Sequence, residues 1–171
     1  MMFLTSWLPL QAKEINKQAS KPLESEVAVE TNVSISNFQG EPSWRRPLKR
    51  MQGQVLSQSG NITGLVVLAE SYPTASGENS NSDCRELFAN ATFDGEIVIC
   101  QQSDMAPNAI AENLKNAGAG GLILQATQLG PQTYQRFDSL PSISLTLDSY
   151  FLLKNWVKYS KPGTTLATIG D

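Results

Sequence analysis

The chain contains no histidine, so any chemistry of its own must be built from serines, lysines, carboxylates and two cysteines. A Ser-His-Asp or Cys-His nucleophile needs an imidazole as general base, and neither arrangement is possible here. A Ser-Lys pair using Ser103 or Ser142 with Lys115 is the formal alternative, because a desolvated lysine can accept the proton. Nothing in the spacing brings these residues together. Two cysteines and scattered carboxylates form neither a zinc set nor a calcium loop, so neither a metal nor another cofactor is expected. Ala117-Gly-Ala-Gly-Gly121 has the glycines of a phosphate-binding turn but the opposite polarity. A dinucleotide loop follows a strand and opens a helix, whereas these glycines end a helical segment and precede a strand. A structural turn is the expectation.

The remaining candidates are polar residues beside strands. Gln101, Gln102 and Asp104 follow the apolar run Ile97–Cys100, and Arg136 and Asp138 precede a second run from Leu140. Open α/β sheets usually receive ligands on loops at strand ends, where such groups can hydrogen-bond a peptide backbone; plain solvated loops are the alternative. Trp44, Arg45, Arg46, Lys49 and Arg50 form one local basic run, which reads as a solvated connection more readily than as a phosphate or acidic-surface site. A net charge of -3 and an isoelectric point near 5.0 offer no global attraction for nucleic acid or anionic lipid.

Elements that position these residues follow from periodicity. A chain of 171 residues suits one domain plus a tail. Residues 1–30 read as a flexible arm or leader remnant: the apolar run within Met1–Ala12 lacks a preceding basic residue and is too short and interrupted to span a bilayer, and the following stretch is polar. The single domain is expected over 31–171. Val33, Ile35 and Phe38 suggest a strand, and the prolines of Gly40–Arg50 argue against regular structure there. Asn61–Ala69 is a β-rich run, and Ser71–Asp83 a polar loop. Cys84–Asn90 is expected to make a helical turn, Phe93–Glu96 a tight turn, and Ile97–Cys100 a buried strand. Pro107 opens a helix with Ile110, Leu114 and Ala117 on one face, Gly118 closes it, and Leu122–Leu124 resumes a strand parallel to the last. Ile143, Leu145 and Leu147 alternate as a strand. Asp148 should then cap a helix with Leu152, Leu153, Trp156 and Val157 inward, and Thr164–Ile169 closes the domain as a strand. Cys84 and Cys100 can form one disulfide, or stand as two buried thiols. Three sequons, at Asn32, Asn61 and Asn90, decide little, because a chain this rich in Asn and Ser holds roughly one or two by chance.

This succession resembles the protease-associated (PA) domain, especially the form inserted in secreted subtilisin-like serine proteases. The likeness rests on Phe93-Asp-Gly-Glu-Ile-Val-Ile-Cys100, Asn113-Leu-Lys-Asn-Ala-Gly-Ala-Gly-Gly-Leu-Ile-Leu124, Leu140-Pro-Ser-Ile-Ser-Leu145 and the helix at 148–158, and spans about residues 55–170. It implies an α/β domain of the swivelling β/β/α kind, with mixed β-sheet layers and two main flanking helices. It also implies a noncatalytic accessory module that binds peptide or protein, or regulates substrate access to an adjoining peptidase domain, in a secreted, periplasmic or extracellular setting without a membrane span. Secreted members carry cysteines at positions like Cys84 and Cys100, which favours the disulfide. Gln101-Gln-Ser-Asp104 departs from the Arg-Gly that many such domains place after the strand cysteine, so contacts of that loop do not carry over. A stand-alone protein-binding or sorting module is the alternative function, and an unrecognised hydrolase a more distant one.

Overall fold

A computed structural model describes residues 30–37, 49–57, 61–77, 81–101, 103–126 and 137–170. Among them, seven strands run β1 (Glu30–Asn37), β2 (Lys49–Val55), β3 (Ile62–Leu68), β4 (Ile97–Cys100), β5 (Gly121–Gln125), β6 (Ser142–Leu145) and β7 (Thr165–Gly170). Helix α1 (Pro107–Asn116) joins β4 to β5, and α2 (Leu147–Tyr159) joins β6 to β7. The expected mixed α/β class with two main helices is present, and its sheet closes on itself in the order β1-β2-β6-β5-β4-β3-β7. β3, β4, β5 and β6 are mutually parallel, while β7 closes the ring by pairing antiparallel with both β1 and β3.

Closure sorts the apolar residues into two cores. All seven strands send side chains into the barrel, among them Val33, Met51, Leu68, Ile99, Ile123, Ile143 and Ile169, and Tyr150 and Leu153 of α2 pack with them. The other face of β4 and β5, with Val98, Cys100, Leu122 and Leu124, is covered by Ile110, Ala111 and Leu114 of α1 and by Cys84, Phe88 and Phe93. Both faces of these two strands are therefore buried, which is why they read as unbroken apolar runs rather than alternating ones.

α1 follows its sequence signature closely. Pro107 occupies the first turn, and Ile110, Leu114 and Ala117 face the core. The helix ends in a Schellman arrangement: Ala119 N–H donates to Leu114 O and Gly118 N–H to Lys115 O. Gly118 has φ +93°, and a Cβ there would lie 2.2 Å from the carbonyl oxygen of Phe93. Phe93 N–H donates to Ala117 O, and Gly95 N–H to Gly118 O, so this glycine corner also anchors the turn that launches β4.

Three local expectations are corrected. The basic run does not stay irregular, since Lys49 and Arg50 begin β2, registered against Ile35 and Ser34 of β1; Trp44, Arg45 and Arg46 lie outside the described residues. Gly53 at the centre of β2 lets β6 approach closely, because a Cβ there would meet Ser144 O at 2.5 Å. Cys84–Asn90 is not helical. Cys84 and Ala91 both have positive φ, 58° and 55°, and Phe88 bridges to Thr74. Asn81 supplies the turn bonds that a helix would have made, donating from Nδ2 to Glu86 O and accepting from Glu86 N–H. Finally, α2 begins at Leu147, so Asp148 sits in its first turn rather than at its cap, where its charge still favours the helix dipole. Of the expected inward face, Leu153 is buried and Trp156 and Val157 pack partly, but Leu152 is 42% exposed and Tyr150 takes the inward place.

Candidate functional site

The parallel strands β3 and β4 end side by side, at Leu68 and Cys100, and each delivers a polar residue within two positions. After β3 a single 3-10 turn (Ala69–Ser71) carries Glu70. After β4 comes Gln101. α2 lies beside this end of the barrel and points Tyr150 and Lys154, one helical turn apart, toward it. Together Leu68, Ala69, Glu70, Ser82, Ile99, Tyr150 and Lys154 line a shallow depression with no room for even one water molecule.

Its electrostatics centre on an ion pair. Lys154 Nζ stands 3.6 Å from Glu70 Oε2, with side chains 17% and 36% exposed. Tyr150 is almost fully buried, and burial first, then the negative charge of Glu70, raises its phenol far above the usual 10.0. The phenol is therefore a neutral hydrogen-bonding group at any physiological pH rather than a base. The set gathers a carboxylate, an ammonium, a buried phenol and a hydroxyl beside Leu68, Ala69 and Ile99.

The loop after β4 is tied to the strap 81–86 by four links. Cys84 and Cys100, both fully buried, form the disulfide that the resemblance suggested, with Cα atoms 5.8 Å apart. Gln101 N–H donates to Ser82 O at 2.8 Å, and Ser82 Oγ donates to Gln101 Oε1 at 3.0 Å. Arg85 and Asp104 make an exposed ion pair at 3.3 Å.

Of the polar residues expected from the sequence, Gln101 and Asp104 are each tied to the strap, Gln101 through Ser82, which lines the depression, and Asp104 through Arg85. Gln102 and Arg136 lie outside the described residues. Asp138 is exposed and precedes β6, at the opposite end of the parallel strands, a four-residue β4 away or about 10 Å. Glu70, Ser82, Tyr150 and Lys154 were not legible as a group. One signal was available: Glu70 is the first charged residue after the apolar run Leu65–Ala69, the place where a strand of an α/β sheet delivers ligand contacts.

The Ser-Lys alternative finds no geometry. Ser103 precedes α1, where its Oγ accepts from Met105 N–H, while Lys115 is near the other end of that helix, about 12 Å along it. Ser142 is fully buried and donates its hydroxyl to Leu140 O. Among the described residues no three His, Cys, Asp or Glu side chains cluster as metal ligands would. No described helix is long and apolar enough to cross a membrane.

No protein-family profile matches the chain, and no curated protein matches it in sequence. Among solved structures the fold is similar to that of an aminopeptidase from Aneurinibacillus sp. strain AM-1, with a TM-score of 0.51 and 13% identity over 90% of this chain and 37% of that one. BSAP, a zinc aminopeptidase from Bacillus subtilis, aligns with a TM-score of 0.47 and 13% identity over 90% of this chain and 36% of that one. A peptidase M28 precursor from Shewanella amazonensis SB2B aligns at 0.45 and 12%, over 83% and 35%. At such identities the likeness is one of fold, and the chain spans little more than a third of the length of these structures.

Proposed function

We propose that this chain is a noncatalytic PA-type accessory domain of a peptidase, acting outside the reducing cytosol and contacting peptide or protein through the barrel end that carries Glu70, Ser82, Gln101, Asp104 and Lys154. The observation that carries the reading is the fold: a helix-plugged mixed barrel similar over nine-tenths of its length to part of an aminopeptidase. The disulfide fits an extracellular or periplasmic setting. A histidine-free chain leaves hydrolysis to another domain or partner. Whether that partner is of the subtilisin type or a zinc aminopeptidase, the contact chemistry proposed for this domain is the same.

Gln101, Gln102 and Asp104 belong to this contact, while Asp138, at the opposite end of the parallel strands, and its sequence neighbour Arg136 belong to a separate one. The test is a titration of the isotopically labelled chain with unstructured ten-residue peptides, read by amide chemical shifts. Shifts confined to residues 70, 82, 101–104, 150 and 154 support the assignment, and uniform insensitivity up to millimolar peptide refutes peptide contact. Cleavage of the peptides by the pure chain, lost on substitution of Ser103, would overturn the noncatalytic reading.

A further inference from the structure

We draw no further inference here: the strongest candidate, the outer face of β1, β7 and β3 on which Ser34, Thr168 and Thr63 stand in register, is a polar sheet face and nothing in the structure shows what covers it.

Discussion

Removing the Cys84–Cys100 bond tests how the strap is held. The bond closes a sequence separation of 16, and the loop-entropy relation then gives about 3 kcal/mol at 25 °C. Both cysteines are fully buried in the outer core, so truncating them to alanine leaves two unfilled sulfur sites worth roughly 1–2 kcal/mol more. Cys84→Ala/Cys100→Ala should therefore lose about 4–5 kcal/mol, a large part of the ~5–15 kcal/mol that holds an ordinary domain. Position 84 adds an internal control. Its φ of 58° is left-handed, where glycine is easier than alanine by about 1 kcal/mol, so Cys84→Gly/Cys100→Ala should be the more stable of the two double variants. Equilibrium urea unfolding, followed by tryptophan fluorescence and fitted for all three proteins with a common slope, measures both differences. A loss below about 1 kcal/mol would refute the view that this bond fastens the strap. A glycine variant less stable than the alanine one would refute the claim that the backbone at 84 is strained.

Other consequences can be checked separately. Gly118→Ala puts a Cβ against Phe93 O at positive φ and should cost about 2–4 kcal/mol in urea unfolding, where the same change at Gly77, with open space around it, costs about 1 kcal/mol. Because the folded state keeps the Tyr150 phenol protonated while the unfolded chain releases its proton near 10.0, stability should be level below that pH and fall as pH rises above it. Tyr150→Phe should flatten the alkaline fall in a series of urea midpoints, although Tyr72, also raised, by its own burial and then by Glu96, will leave some slope. A double-mutant cycle on Glu70→Gln and Lys154→Met should return a coupling of about 0.5–1 kcal/mol, since the pair is only half sheltered. The more exposed Arg85–Asp104 pair should show no measurable coupling in the same experiment.

The sequence disclosed those parts of the fold whose burial is complete or strictly periodic. β4 and β5 were plain because both their faces are covered, and α1 because a proline, a three-four apolar spacing and a glycine mark its start, face and end. β2 was hidden: only Met51 and Val55 carry its apolar pattern, and the glycine that lets β6 approach reads as a break. Leu87-Phe88 looks like a helical pair, but Phe88 alone is buried while Leu87 is 59% exposed, which only the bridge to Thr74 explains. Gln101 and Asp104 were legible as strand-end residues. Glu70, Ser82, Tyr150 and Lys154 were not, because four separate segments meet there only after the barrel closes and α2 settles beside its end.

The pairing of β1 with β7 has a consequence for how the domain can be built into larger proteins. Asn32 is registered against Gly170, so the polypeptide enters and leaves the barrel on adjacent strands, about 5 Å apart. A host chain can break at a single surface loop, pass through this whole barrel and resume where it stopped, with its own packing left in place. The doorway is one hydrogen-bonded residue pair wide. The same seam sets the weak point of such a graft: tension on the two ends pulls directly on the β1–β7 ladder, and the barrel opens there first.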